Sequence, residues 1–560
     1  MRGDVGALGR ERWRLDFWGL ATIAILAIFA LFLVYPLISL FADGFREEGT
    51  GAFTMANFAR FFGKRYYYRS LQNSLKLTAC VTVCSLLIGV PLAYAMSFFK
   101  VRGKRIVEVL LIVSMMSPNF IGAYSWILML GRSGVVTTFL SKALGVQMPS
   151  IYGFAGMLLV FSLKLYPFVY MYVTGALKKI DVAVYEAAES LGCSGAKKIF
   201  TVVMPLVTPT AIASALLVFM NCMADFGTPA LIGEGYDVLP TRIYIEFVGE
   251  TGGSAYFASA MASMMVVITA VLFLAQKWYV NKKSFTMSAM RPIQPARLKG
   301  VRNVLTHAAI YLLLALSIVP QLVVLWTSFR KTEVQYFVEG YSVESYTKIF
   351  GTAIQSIRNT YLYCSVALLI IIALGMLIAY LSVRRRSLLT SVIDTLAMFP
   401  YIVPGSVLGI TLLLAFNGTG DPLVLSGTAA IMILSLVIRR MAYTLRSSSA
   451  ILYQISPSME EAAISLGDSP MKAFFKVTAR MMMPGVISGA ILSWITLINE
   501  LSSSVMLYTA RTRTMSVAIY NEVIRASYGT AAALASILTV TTIVSLLIFF
   551  RVSGSRDVTM

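Results

Sequence analysis

The sequence is poor in the residues from which most catalytic and metal centres are built. It has one histidine, His307, and five cysteines among 560 residues. Cys80, Cys84, Cys222 and Cys364 lie in apolar stretches, where a thiol packs as a small hydrophobic group and an unpartnered thiolate is disfavoured. We therefore expect no disulfide framework, no metal site and no catalytic residues, which argues against a membrane enzyme.

The chain also lacks a nucleotide-binding loop and a soluble charged face. No stretch matches Gly-x-x-x-x-Gly-Lys-Ser/Thr, so we expect no ATP site of its own. Charged residues make up only 13%, although the net charge is +21. The basic residues are spread over short segments between apolar runs, which indicates membrane topology and not nucleic-acid binding.

What the sequence has in abundance is long apolar runs. Hydrophobic residues make up 58% of the chain, and runs of about 20 residues, the length of a transmembrane helix, recur throughout. The first run is too long for a signal-peptide core and follows four arginines, so we expect a retained span with a cytoplasmic N-terminus. We predict an all-α polytopic membrane protein with about 12 spans, near 17–41, 70–99, 106–131, 151–176, 206–232, 254–278, 304–328, 357–383, 388–416, 424–445, 484–509 and 529–550.

The chain repeats itself. Residues 186–192 read Glu-Ala-Ala-Glu-Ser-Leu-Gly, and residues 461–467 read Glu-Ala-Ala-Ile-Ser-Leu-Gly. Another stretch repeats at an offset of 286, placing Asn73 on Asn359. Six spans per unit is an even number, so we predict two parallel six-helix repeats related by an axis along the membrane normal. The expected parts are a first permease-like repeat at 1–278, a cytoplasmic linker at 279–303 and a second repeat at 304–560.

Each repeated stretch forms part of a polar loop, at 181–205 and 456–483. Its good helix formers end at a glycine, Gly192 or Gly467, and a serine two residues later is the candidate N-cap of a second short helix. The caps would be Ser194 and Ser469, with Pro470 at the first helical position of the copy. The charge distribution places both loops in the cytoplasm. They are either remnants of duplication or, as we favour, two docking surfaces.

The loops resemble the coupling loop of binding-protein-dependent ABC importer permeases of type I. The first copy fits the whole pattern of Glu-Ala-Ala, three residues, Gly, nine residues, aliphatic-x-aliphatic-Pro. The second departs from it at Ala479 and Arg480, which predicts that the two loops dock unequally. The resemblance implies that an ATPase dimer, which binds the ATP, docks in the cytoplasm on Glu186, Ala187, Ala188, Gly192, Glu461, Ala462, Ala463 and Gly467.

The same resemblance implies further partners and a location. An external or periplasmic substrate-binding protein would deliver the cargo. The chain would lie in the bacterial inner membrane with both termini in the cytoplasm, and no cofactor or metal would belong to it.

Four charged residues fall inside predicted spans. Asp225 and Glu500 are 275 positions apart, as are Lys164 and Arg439. A charge at this depth costs about 2.5–3.5 kcal/mol unless it is paired or faces water. We therefore expect Asp225 to pair with Lys164 and Glu500 with Arg439. The pairs would either hold helices together or line the transport pathway, and the sequence leaves both roles open.

Two segments bear on the cargo. Residues 225–233 and 512–520 resemble stretches of fused permeases for ferric iron, which makes ferric iron the leading prediction. Related fused permeases leave 2-aminoethylphosphonate, thiamine or polyamine as alternatives. A stand-alone secondary transporter is a further alternative, but it would not explain two Glu-Ala-Ala loops.

Overall fold

The computed structural model describes residues 16–116, 119–193, 195–249, 254–282, 294–333, 336–401, 403–418 and 421–553. Within these residues, ten helical segments are long and apolar enough to cross a membrane. The fold class is therefore confirmed as a polytopic helical membrane protein. Part of the predicted linker, 283–293, and the candidate cap Ser194 lie outside the described residues.

The first half begins with a helix whose regular turns are interrupted by a π-helical turn at Ala30–Val34. A second π-helical turn lies at Ile199–Val203. The α-helices of this half are Phe17–Phe29, Tyr35–Gly44, Ala56–Gly63, Arg65–Phe98, Lys104–Met116, Asn119–Leu130, Val135–Leu144, Phe154–Leu177, Val182–Ser190, Gly195–Lys198, Met204–Ala224, Gly227–Ile232, Leu239–Val248 and Ala255–Lys282.

The second half repeats the general order of the long helices but differs in its shorter elements. A β-hairpin pairs Arg330–Glu333 with Tyr336–Tyr341 in antiparallel fashion, which the all-α prediction did not include. A 3₁₀ turn lies at Phe399–Tyr401 and a π-helical turn at Phe474–Thr478. The α-helices are Gly300–Thr327, Glu344–Thr352, Ile354–Arg384, Leu388–Met398, Gly405–Ala415, Ala429–Gln454, Ser458–Ser465, Pro470–Ala473, Ala479–Ile498, Ser504–Leu507, Met515–Ile524 and Tyr528–Ser553.

Two predicted spans of the second half differ from expectation. The stretch 388–416 is two helices, because Pro400 and Pro404 cannot donate the backbone hydrogen bonds that would join them. The predicted span 424–445 is the helix Ala429–Gln454, which is long but carries three arginines and so is not among the ten apolar segments.

The two halves are interlocked through their first helices. Phe17–Phe29 packs on Leu388–Met398 of the second half, and Gly300–Thr327 packs on Lys104–Met116 of the first. The larger hydrophobic core draws buried side chains from both halves. The repeats thus bury their apolar faces against each other and form one packed unit.

Candidate functional site

The first loop is a short helix closed by a glycine. The carboxylate of Asp181 accepts a hydrogen bond from the Ala183 N–H at 2.8 Å and caps the helix Val182–Ser190. At the other end, Gly192 has a φ of +79°, and the Cys193 N–H returns to the Ala188 carbonyl at 2.9 Å. A left-handed glycine at this point ends the helix and turns the chain.

The second loop has the same shape. Gly467 has a φ of +98°, and the Asp468 N–H donates to the Ala463 carbonyl at 3.1 Å. Ser469 caps the next short helix by accepting the Lys472 N–H, and Pro470 occupies the start of that helix. The predicted helix–bend–helix is therefore confirmed in this loop, caps included.

Both loops enter the membrane through the same backbone irregularity. The π-helical turns Ile199–Val203 and Phe474–Thr478 lie 275 positions apart and run directly into the spans that follow. The second copy lacks the family's proline and has Arg480 instead, yet its span starts at the equivalent position. The departure in sequence therefore changes a side chain without changing the path of the backbone.

The surfaces of the loops are exposed and partly apolar. Of the predicted residues, Glu186, Ala187, Gly192, Glu461, Ala462 and Gly467 are exposed, Ala463 is half-buried and Ala188 is buried. Leu191 is 85% exposed, and Leu466, its equivalent, is 89% exposed. Because both leucines lie at the same position of a polar loop, we add them to the candidate docking residues. Sequence reasoning overlooked them, although both lie within the repeated seven residues.

Each loop contains an ion pair among its described residues. In the first, the Lys198 ammonium lies 2.9 Å from the Glu189 carboxylate. In the second, Lys476 lies 2.9 Å from Asp468. The pairs occupy non-equivalent positions, but each ties the stretch around the bend to the turn that enters the membrane.

A central cavity of about 470 Å³ lies where the halves meet. Much of its lining comes in pairs of residues 275 positions apart, one from each half. These are Leu165 and Arg440, Phe168 and Tyr443, Leu217 and Leu492, Asn221 and Thr496, Ala224 and Asn499, Asp225 and Glu500, and Gly227 and Ser502. The cavity therefore follows the twofold relation between the repeats, where a shared pathway is expected.

The two acids of the cavity lie at helix ends, not inside continuous spans as predicted. The predicted spans 206–232 and 484–509 end at Ala224 and Ile498. Asp225 then accepts the Thr228 N–H at 2.8 Å, and Glu500 accepts the Ser503 N–H at 3.2 Å. Each carboxylate thus accepts the backbone N–H three residues further along, in the short segment that follows it.

The basic partners differ between the halves. Glu500 lies between two guanidinium groups: Arg439 Nε is 3.1 Å from its carboxylate, and Arg440, which the sequence did not single out, also binds it. Lys164 donates a hydrogen bond to the Ser114 carbonyl at 2.8 Å. Lys164 is not part of the cavity lining, whereas Asp225 is. The pairing of these two residues stays a prediction.

The asparagines that repeat at an offset of 286 bind the chain just before the helices Leu239–Val248 and Met515–Ile524. Asn73 donates to the Asp237 carbonyl at 2.9 Å, and Asn359 donates to the Arg513 carbonyl at 3.1 Å. The next residue in each half, Ser74 or Thr360, accepts the backbone N–H at the start of a buried helix at 2.7 Å. These hydrogen bonds attach the helix Leu239–Val248 to Arg65–Phe98, and the helix Met515–Ile524 to Ile354–Arg384. The sequence showed that the asparagines repeat, but not what they bind.

A known protein family matches the chain twice, once in each half. The family described as binding-protein-dependent transport system inner membrane component matches residues 85–284 and 371–556. Each matched segment contains one loop and one side of the cavity.

Several known proteins are similar over long stretches. The chain is 29% identical to the ferric transport system permease protein FbpB of Actinobacillus pleuropneumoniae over 546 residues, 96% of this chain and 78% of that protein. It is 28% identical to the putative ferric transport system permease protein FbpB 1 of Haemophilus influenzae over 499 residues, 88% of this chain and 78% of that protein. A solved bacterial ABC transporter involved in the import of the acidic polysaccharide alginate has a chain that is 22% identical, with a TM-score of 0.39, and the match covers 48% of this chain and 96% of that chain.

Proposed function

Because this chain belongs to the family of binding-protein-dependent transport system inner membrane components, we propose that it is the membrane subunit of an importer that moves ferric iron. In this proposal, a separate ATPase dimer supplies the energy and an external binding protein delivers the cargo. Both loops and both termini then lie in the cytoplasm, in keeping with the distribution of lysine and arginine.

The observation that carries the proposal is the pair of matched loops. Two exposed helix–bend–helix surfaces, each presenting a leucine to water, suit a partner with two equivalent clefts. Both loops continue through a π-helical turn into the span whose end carries a cavity acid. A force on the loop is therefore transmitted along one helix to Asp225 or Glu500.

The central cavity is the proposed passage. Its lining includes three arginines and two carboxylates, and both carboxylates already accept hydrogen bonds from the protein. Such a lining does not provide a set of uncommitted oxygen ligands that could coordinate iron. We infer that the cavity holds its cargo weakly, which suits transit and not storage.

The ferric assignment draws on the two relatives named as ferric transport permeases, which match nearly the whole chain. The test is uptake of radiolabelled ferric iron by a bacterial strain from which this chain has been deleted, with and without the chain restored. We expect uptake to return only with the chain. Restored uptake of 2-aminoethylphosphonate, thiamine or polyamine, with iron uptake unchanged, would overturn the assignment of cargo while leaving the importer intact.

A stand-alone secondary transporter is the competing mechanism. It predicts uptake that survives removal of the partner ATPase and follows an ion gradient. We expect the opposite: uptake in reconstituted vesicles stops without ATP or without the ATPase, and collapsing the ion gradients leaves it unchanged.

A further inference from the structure

A glutamate in the first turn of the second loop's helix is bound to the membrane part of the chain. Glu460 lies in Ser458–Ser465, which we call the loop helix. It is half-buried, whereas its neighbour Glu461 is exposed. One oxygen of the Glu460 carboxylate accepts a hydrogen bond from the Tyr380 hydroxyl, and the other accepts one from the Thr478 hydroxyl at 2.8 Å. The side chain of Glu460 therefore points into the protein.

Both hydroxyl groups are held by buried packing. Tyr380 is 1% exposed and Thr478 is 2% exposed. The Tyr380 ring contacts the rings of Trp18 and Phe474, with centroids 4.5 and 4.7 Å away. Arg385 also lies near the Tyr380 hydroxyl. Hydrogen bonds to a charged acceptor are about twice as strong as neutral ones, so two of them from buried donors hold the carboxylate firmly.

The carboxylate joins three elements of the second half. It belongs to the loop helix, Tyr380 belongs to Ile354–Arg384, and Thr478 belongs to the π-helical turn that enters the next span. A further hydrogen bond runs from the Arg384 side chain to the Ile455 carbonyl, just before the loop helix. The helix Ile354–Arg384 thus holds both the first turn of the loop helix and the chain that leads into it.

The helix Ile354–Arg384 also leads toward the basic side of the central cavity. It packs along Ala429–Gln454, the helix that carries the two arginines bound to Glu500. The two helices approach closely at Gly375, where an added Cβ would lie 3.3 Å from the Thr444 methyl group. Tightly packed elements of low compressibility transmit a displacement. The second loop is therefore connected to Glu500 through the following span, and to the basic partners of Glu500 through Ile354–Arg384.

The first repeat has different residues at these positions. The offset of 275 places Tyr185 at the position of Glu460 and Val203 at the position of Thr478. Tyrosine has no carboxylate, and valine has no hydroxyl. The sequence therefore restricts this arrangement to the second repeat, where it adds to the differences between the two loops.

We propose that Glu460 is the positioning residue through which the second loop acts on the membrane helices. Its carboxylate fastens the loop helix to Ile354–Arg384, so that a displacement of the loop moves Glu500 and its basic partners together. This role rests on the proposed function, because it requires an ATPase that docks on the loop. Without the carboxylate the ATPase still docks, but its hydrolysis of ATP drives less transport.

The fastening itself is tested on the full chain in nanodiscs without an ATPase, by amide hydrogen exchange. Tyr380→Phe with Thr478→Val removes both donors and leaves the loop helix unchanged. We expect exchange in Ser458–Ser465 to become about tenfold faster, as for the loss of a hydrogen bond to a charged group, and exchange in Val182–Ser190 to stay the same. Unchanged exchange in Ser458–Ser465 would overturn the proposal, whatever the partner or the cargo.

Coupling is tested in proteoliposomes containing the chain, the ATPase and the binding protein, by the ratio of radiolabelled ferric iron taken up to ATP hydrolysed. Glu460→Ala, and separately Tyr380→Phe with Thr478→Val, should lower this ratio about fivefold or more while the ATPase co-purifies as with the parent. Tyr361→Phe is the matched control, because it removes a hydroxyl of the same helix that bonds Thr541 at 2.7 Å, away from the loop. We expect the control to keep the parental ratio.

The outcomes separate this role from the proposed function. A coupled parent whose ratio is unchanged in the variants would overturn the role of Glu460 and leave the importer intact. A parent that binds no ATPase and shows no ATP-driven uptake would contradict the proposed function and the coupling role with it, whereas the exchange measurement would still test the fastening.

A combined variant shows whether Glu460 acts through the two hydroxyls or touches the ATPase directly. If it acts through them, Glu460→Ala should add nothing to the loss caused by Tyr380→Phe with Thr478→Val. Losses that add, or failure of the ATPase to co-purify with Glu460→Ala, would show that Glu460 is a docking contact and would overturn the positioning role.

Discussion

At the scale of single residues, the four intramembrane charges show what a sequence offset can and cannot predict. The offset of 275 placed Asp225 and Glu500 at equivalent positions, and in the structure each accepts the backbone N–H of the residue three positions later. It did not reveal that Arg440 joins Arg439 on Glu500, because Arg440 corresponds to an apolar residue, Leu165, in the first half. In these two repeats the backbone hydrogen bond of the acid is the same, whereas the second basic partner is present in only one of them.

Loss of charge should therefore have unequal effects in the two halves. Glu500→Gln leaves two guanidinium groups without a buried counter-charge, which typically costs about 3–5 kcal/mol. Asp225→Asn leaves at most one buried cation, Lys164, without its counter-charge, so it should cost less. Thermal unfolding of the two variants in detergent, at matched expression, measures the difference. Equal losses of stability would contradict the contacts described for Glu500.

The first-half pair needs its own test. If Asp225 and Lys164 form a purely structural ion pair, Asp225→Asn with Lys164→Met should retain full ATP-driven uptake and be milder than either single change. If Asp225 lines the pathway, the double variant should fold and hydrolyse ATP without uptake. Single variants no worse than the double would refute the pairing.

At the scale of elements, helices with strong local signals were predictable and their interruptions were not. Glycine, serine and proline at fixed spacing predicted the bend of each loop, because these residues act through their own backbone. The π-helical turns at Ile199–Val203 and Phe474–Thr478 carry no comparable signal. The break after Ala224 is accompanied by a hydrogen bond from the Thr228 N–H to Asp225, which a hydropathy pattern does not show.

The left-handed glycines give a matched test of loop geometry. Gly192 and Gly467 have open space around them, as does Gly175 within a helix, so only the backbone conformation distinguishes the three. An alanine in the left-handed region costs about 1–2 kcal/mol, whereas alanine at Gly175 should be tolerated. We expect Gly192→Ala and Gly467→Ala to lower transport with normal membrane insertion, and Gly175→Ala to transport like the parent. Parental transport by all three would argue against a coupling role for the bends.

The two loops should nevertheless differ in their sensitivity. Their backbones match, but their bracing ion pairs and the residue at Arg480 do not. We expect Glu186→Ala and Glu461→Ala to reduce transport to different extents, and crosslinking of each loop to the ATPase dimer to differ in yield. Indistinguishable phenotypes and yields would show that backbone shape alone decides docking.

At the scale of the whole molecule, the duplication accounts for the architecture. The family resemblance and the polytopic helical fold were predicted from the sequence and are confirmed, because repeats and apolar runs are visible in a single chain. The exchange of first helices between halves was not predicted, since no local pattern records which half a helix packs on. That exchange brings Trp18 to the second half, where its ring packs against Tyr380 and Phe474.

The central claim is that two equivalent loops together dock one ATPase dimer. Its most direct test is co-purification of the partner ATPase with variants that place a charge on the exposed leucines: Leu191→Asp, Leu466→Asp and the double variant. Leu144→Asp is the control, because Leu144 is 66% exposed and lies outside both loops. We predict that each single variant retains part of the ATPase, that the double variant loses it, and that the control binds like the parent. A folded double variant that binds the ATPase as well as the parent would contradict the claim.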